Sequence, residues 1–229
     1  MIENIFFDLD GTLTDPKEGI TRCIQFALEE FDVEKPHADK LTWCIGPPLR
    51  ESFSKILETT DKDKIKHAYT TYRKRFADKG MYENRVYPDV HNSLNMIKKS
   101  GFKIFLATSK PEIYATQILD HFDLSKYFNK AYGSNLNGSL TDKGELIAHI
   151  LKTENLDPGE TVIVGDRVYD IAGGKKNGIM TAAVTYGYGS QEEITLSNPD
   201  IIFDAFSDLL PFLGITTSTQ RPPTVKENI

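Results

Sequence analysis

Phe6 to Asp15 reads FFDLDGTLTD, an apolar run that delivers three acids within ten residues. Residues 2–7 (IENIFF) predict a short buried strand, and the acids beyond it have the character of a site placed at a strand end. Side chains alternate along an extended chain, so Asp8 and Asp10 point the same way while Leu9 points into the core. Gly11 permits a sharp exit and Thr12 can help close it. A carboxylate is a nucleophile for phosphoryl groups, forming an aspartyl-phosphate. A second carboxylate one position removed can protonate the leaving oxygen and later deprotonate water.

Working outward, the next convincing strand is KIFLAT, which begins only at Lys103. A strand–helix–strand unit needs about 30 residues, so most of the intervening chain reads as an insertion. It has helical periodicity: Ile20, Cys23, Ile24, Ala27, Leu28 and Phe31 fall on one face, and Ile65, Tyr69, Tyr72 and Phe76 repeat the pattern. Between them Ile45–Arg50 (IGPPLR) breaks any helix. The expected division is therefore a helical domain over 16–83, an α/β core over 1–15 and 84–214, and a polar, loosely held tail over 215–229. Beyond Pro88 strands and helices alternate. Helices are expected over Val90–Lys99, Glu112–Phe122, Lys143–Lys152 and Val168–Lys176. Strands are expected at KIFLAT, KAYGSN, TVIVGD and MTAAVTYG, with a last strand and helix in DIIFDAF. This is the pattern of a doubly wound parallel sheet covered on both faces.

Bulk properties narrow the function. A chain of 229 residues that is 39% hydrophobic and 26% charged is globular, and a net charge of −6 argues against a general nucleic-acid binder. No apolar stretch approaches the roughly 18–20 residues of a membrane span, and the acidic start MIENIFFDLDG lacks the basic opening of a signal peptide. Two cysteines, Cys23 and Cys44, have neither bridge nor metal spacing, as expected of a reduced cytoplasmic protein. The five histidines are scattered without metal pairing.

Open parallel sheets bind ligands at the carboxyl ends of their strands, and further chemistry-bearing residues sit at such ends. Thr108-Ser109-Lys110 follows KIFLA, Gly165-Asp166 follows TVIV with Asp170 one helical turn on, and Lys143 opens a helix after AYGSN. Converging acids repel one another by about 1 to 4 kcal/mol per pair at 4 Å. A hard cation such as Mg²⁺, which takes a few carboxylates plus water and phosphate oxygens, relieves that repulsion. Lys143, the backbone N–H groups after Asp8 (Gly11 and Thr12 among them), and Thr108 or Ser109 would hold the remaining phosphate charge.

DLDGTLTD, ATSKP, Lys143 in TDKGE, and VGDRVYD resemble, in order and spacing, the four motifs of the haloacid dehalogenase superfamily of phosphohydrolases. The helical insertion, IGPPLRESF and YGYGSQEE resemble its phosphoglycolate-phosphatase-like branch. The resemblance implies a HAD-like Rossmannoid core with a helical cap. It also implies Asp8 as nucleophile and Asp10 as acid/base with its carbonyl on Mg²⁺. Thr108 would bind phosphate, Lys143 would steady nucleophile and phosphate, and Asp166 would ligate the metal. Asp170 would do so through water or order its neighbours. Ser109 stands where many relatives carry Asn. The implied substrate is a small phosphorylated metabolite, phosphoglycolate or a nucleoside 5′-monophosphate, handled by a monomer or homodimer. A phosphosugar mutase and an inorganic pyrophosphatase are the alternatives. Asp10 disfavours a halide-releasing enzyme, and intact motifs disfavour a non-catalytic binding protein.

From Arg50 to Arg85 ten Lys/Arg face six Asp/Glu, a cationic excess on a negative chain. Lys64, Lys66, Arg73 and Arg75 read as a solvated helix face. Arg50, beside the Gly46-Pro47-Pro48 loop, is the residue expected to reach substrate beyond the phosphate. Trp43 is expected as a packed core aromatic, and Gly187–Ser190 (GYGS) as a loop beside the site with no helix signal after it.

Overall fold

The computed structural model describes residues 1–216. Among these, strands β1 (Asn4–Phe7), β4 (Lys103–Pro111), β5 (Lys130–Ser134), β6 (Thr161–Gly165), β7 (Met180–Val184) and β8 (Ile201–Phe203) form one sheet in the order β5-β4-β1-β6-β7-β8. Every pairing in it is parallel. The central strand β1 is buried on both faces. Phe6 packs edge-on against Phe105 at 5.7 Å on one side, while Phe7 meets Phe206 at 5.4 Å on the other. That two-sided burial explains the unbroken apolar run at the start of the chain.

Helices α4 (Val90–Lys99), α5 (Glu112–His121), α6 (Lys143–Glu154) and α7 (Val168–Lys176) cross over between strands, and α9 (Leu209–Phe212) closes the fold. Leu146, Ile147 and Ile150 of α6 pack beneath Phe6 and Ile163, while Val90, Leu94 and Ile97 of α4 join Ile5 and Phe7 on the opposite face. The expected doubly wound sheet is present.

The insertion is helical, as its periodicity predicts. It contains α1 (Lys17–Leu28), a 3₁₀ turn over Ala38–Cys44, α2 (Leu49–Ile56), and α3 (Lys62–Arg75), which runs into a π turn at Phe76–Gly80. The periodic face of α1 is buried from Ile20 to Leu28. Tyr72 stacks on Phe76 at 5.4 Å and meets Phe53 at 6.2 Å. Two features escaped the sequence: β2 (Thr14–Asp15) and β3 (Arg85–Val86), an antiparallel pair that clasps the two ends of the insertion. At two residues each they are too short for alternation to register.

Four expectations need correction. Arg73 and Arg75 do not belong to a solvated face. Helical spacing puts Arg73 beside Tyr69 on the inner side, and Arg75 makes a forked pair with Glu83, at 2.7 and 3.0 Å. Lys64 and Lys66 are exposed as expected. Trp43 is not core; it lies at the surface, 39% exposed, under the ammonium of Lys55. A seven-residue helix, α8 (Gln191–Ser197), follows GYGS, capped by Ser190, whose hydroxyl accepts from Glu193 N at 3.0 Å. The IGPPLR loop is also shorter than expected, since Leu49 and Arg50 open α2. Of the tail expected over 215–229, residues 217–229 lie outside the described residues.

Candidate active site

Asp8 follows the last residue of β1, tied by its N–H to the carbonyl of Val164 at 3.0 Å. The chain then turns back through Leu9, whose carbonyl accepts from Thr14 N at 3.0 Å, and Gly11 sits at φ +84°. That angle favours glycine, and space demands it as well: a Cβ there would lie 2.1 Å from an oxygen of Asp166.

The acids meet. One carboxylate oxygen each from Asp8, Asp166 and Asp170 lies within 4.8 Å of the others, and all three side chains are buried. No histidine of the described residues joins such a cluster. Asp166 accepts from Tyr188 N at 2.7 Å and from the Thr12 hydroxyl at 3.4 Å. Asp170 accepts from Arg167 N at 3.1 Å, its place in the first turn of α7 making that contact possible.

Lys143, the first residue of α6, ties three elements together. Its Nζ donates to Asp8 at 2.8 Å and to the Ala107 carbonyl at 2.7 Å, and stands 2.8 Å from Asp170 Oδ1. Burial pulls its pKa down, but the charges of Asp170 and Asp8 outweigh burial and hold it above the ordinary lysine value. Lys110 adds a second ammonium that the motifs do not predict. Its Nζ, 2.7 Å from Asp10 Oδ2, is buried over the Phe76 ring. Burial raises Asp10 above the usual carboxyl range against the pull of Lys110, and burial with neighbouring Asp8 and Asp170 raises Asp166 well above it.

Four buried carboxylates thus face two ammonium groups. The missing charge is what a divalent cation would bring, and an all-oxygen donor set suits Mg²⁺. Oδ1 of Asp170 lies 2.8 Å from the Lys143 ammonium, which holds this acid beside Asp8.

A cavity of about 590 Å³ opens over this cluster between the sheet and the insertion. Asp8, Asp10, Thr108, Ser109, Lys143 and Asp170 line its floor, and Arg50, Tyr69, Arg73 and Tyr114 line its upper wall. Arg50 stacks over Tyr69 at 4.5 Å, and Arg73 lies 5.4 Å from the same ring. Ser109 spends its hydroxyl on the Thr141 carbonyl at 3.0 Å, and Thr108 Oγ1 accepts from Lys110 N at 3.3 Å. Gly11 and Thr12 do not line the cavity; they pack against Asp166 instead.

A model described as haloacid dehalogenase-like hydrolase matches residues 5–184. The chain belongs to this family. It is 41% identical over 196 residues to a 5′-nucleotidase of Pseudomonas aeruginosa, covering 86% of this chain and 88% of that protein. It is 30% identical over 210 residues to a phosphoglycolate phosphatase of Aquifex aeolicus, covering 91% and 95% respectively. A solved haloacid dehalogenase-like family hydrolase from Streptococcus pneumoniae superposes with a TM-score of 0.86 at 31% identity, over 93% of this chain and 98% of that one. Fold and family agree, and the chain is an enzyme of the phosphoric monoester hydrolase class. Among the described residues no helix is long and apolar enough to cross a membrane.

Proposed function

We propose that this haloacid dehalogenase-like hydrolase is a Mg²⁺-dependent phosphatase of small phosphomonoesters, working through an aspartyl-phosphate on Asp8, with nucleoside 5′-monophosphates ahead of phosphoglycolate. The observation that carries the reading is the convergence of Asp8, Asp166 and Asp170 within 4.8 Å beside the Lys143 ammonium. A divalent cation held by these carboxylates would offset their repulsion and draw charge from a phosphoryl oxygen. Asp8 attacks phosphorus, forming an acyl phosphate as the ester P–O bond breaks, and Asp10 gives its proton to the leaving oxygen. Asp10 then takes a proton from water, whose oxygen displaces Asp8 and releases inorganic phosphate. The raised pKa of Asp10, caused by its burial, suits a group that must carry that proton. Lys143 holds and aims Asp8, and Thr108 and the Ser109 main chain receive the phosphoryl oxygens.

In this reading residues 16–83 form a cap over a core of 1–15 and 84–214, and the cap wall selects the leaving group. The aromatic and guanidinium groups of Arg50, Tyr69, Arg73 and Tyr114 offer stacking and charge to a base and sugar. A cavity of about 590 Å³ also suits a drug-sized ligand better than a two-carbon acid. The 41%-identical relative named 5′-nucleotidase supports the same ranking. Pyrophosphate has no apolar part to meet these rings, and no feature here is specific to a mutase. Both cysteines are buried and free, in keeping with a reduced, cytoplasmic compartment. Phosphate release from a panel of nucleoside monophosphates, phosphoglycolate, pyrophosphate and hexose phosphates tests the proposal. Nucleoside monophosphates should lead, activity should vanish in chelator, and Mg²⁺ but not Ca²⁺ should restore it. Full activity in chelator would remove the acidic cluster as a metal seat, and preference for pyrophosphate would overturn the substrate class.

A further inference from the structure

Arg167 lies directly after Asp166, yet its side chain leaves the acidic cluster and crosses to the insertion. Its Nη1 donates to the carbonyl of Ile45, at the start of the Ile45–Pro48 loop. The rest of the guanidinium is held from below by Glu193 of α8. Nε donates to Oε1 at 2.8 Å and Nη2 to Oε2 at 3.3 Å, while Oε1 also accepts from Val168 N at 2.9 Å. Both side chains are largely buried, 11% and 21% exposed. The loop itself is poor in donors, because Pro47 and Pro48 have no N–H. An anchor must therefore take hold of a carbonyl, as Arg167 does. Gly46, at φ +103°, leaves room for this arm: a Cβ there would lie 2.8 Å from Nη1. Gly46, Pro47, Pro48 and Arg50 all line the cavity.

We infer that Arg167, braced by Glu193, is a positioning residue that latches the Ile45–Pro48 roof to the loop carrying Asp166, and so sets the grip on the part of the substrate beyond the phosphate. The inference rests on the phosphatase reading for its kinetic arm alone. Burial and a bidentate brace distinguish this contact from a surface ion pair of little consequence.

The test uses Arg167→Ala, Glu193→Gln and Arg167→Lys in the full chain, with two phosphoryl donors: a nucleoside 5′-monophosphate that reaches the roof and the acyl phosphate acetyl phosphate, which does not. For Arg167→Ala, KM for the nucleotide should rise roughly tenfold or more while kcat on acetyl phosphate stays within about twofold. Glu193→Gln should shift KM the same way by less, and Arg167→Lys should recover only part of the loss because an ammonium lacks the fork. An equal fall in kcat on both substrates would mean that Arg167 acts through Asp166 and Asp170, and would overturn the latch. Hydrogen exchange supplies a readout independent of turnover: amides at Ile45, Gly46 and Leu49 should exchange faster in Arg167→Ala and Glu193→Gln, with α3 unchanged. Unaltered exchange at those amides would also overturn it. If the wild-type protein hydrolysed neither substrate, the phosphatase reading would fail while exchange still decided the latch. Should Arg167→Ala not fold, Glu193→Gln carries the same comparison.

Discussion

The floor and the upper wall of the cavity are built on different physical terms. On the floor Asp8, Asp170 and Lys143, and just beneath it Asp166, are buried, and each is held by at least one named partner. These residues come from strand ends and helix starts of one sheet, whose register fixes their relative positions to a fraction of a residue. The wall is made of side chains on α2, α3 and α5 that touch through ring faces and guanidinium planes, with one long contact of 3.4 Å from Arg73 to the Tyr114 hydroxyl. Stacking contacts tolerate rotation in a way that buried ion pairs do not. The sheet therefore has the rigidity that chemistry needs, and the insertion has the adaptability that selects among substrates.

Substitutions on the two regions should separate accordingly. The largest effect belongs to Asp8→Asn, because an amide is a poor nucleophile: kcat should fall at least roughly a thousandfold with the fold retained by circular dichroism. Near-normal turnover would exclude covalent catalysis at this position. Next comes Lys110→Met, which strands the buried Asp10 carboxylate beside Asp8 without its counter-charge. A loss in kcat on the order of 10–100-fold is expected, with KM changing less. On the wall, Arg50→Ala should raise KM for the preferred nucleotide by about tenfold with kcat nearly unchanged. A fall in kcat without change in KM would erase the distinction between floor and wall.

The smallest effect lies outside both regions and calibrates them. Asp200 accepts from the Thr181 hydroxyl at 2.7 Å and from Thr181 N at 2.8 Å, bonds that hold its pKa below the usual carboxyl value. A depressed folded-state pKa contributes stability above the unfolded value, near pH 4, that is lost as pH falls through the folded one. Asp200→Asn should therefore lower the melting temperature at pH 7 by about one to three degrees and flatten its acid dependence. Kinetic constants should not move.

Much of the floor was legible in the chain because each acid stands at a fixed offset from a strongly apolar strand, and strand ends in a parallel sheet gather on one side. The pairing of Lys110 with Asp10 was not: it needs the irregular end of β4, where the pairing with β5 shifts register between Ala107 and Pro111, to carry a side chain across the floor, which no linear spacing reveals. Arg73 was misread for a related reason. Charge alternation along α3 suggests solvent, but only the packing of Tyr72 and Phe76 shows which side of the helix faces inward. Trp43 failed the other way, since its hydrophobicity predicts burial while a short 3₁₀ turn holds it outward. The clasp of β2 with β3 and the brace of Glu193 involve partners far apart in sequence, joined by two-residue pairings or single side chains below any periodic signal.

Trapping the intermediate tests the central claim most directly. Protein quenched in acid during turnover of a nucleoside 5′-monophosphate with Mg²⁺ should carry the mass of one phosphoryl group, and peptide mapping after borohydride reduction should find it at Asp8. Phosphate on another residue, or turnover at full rate with no phosphorylated protein at any quench time, would contradict a mechanism in which that aspartate attacks phosphorus.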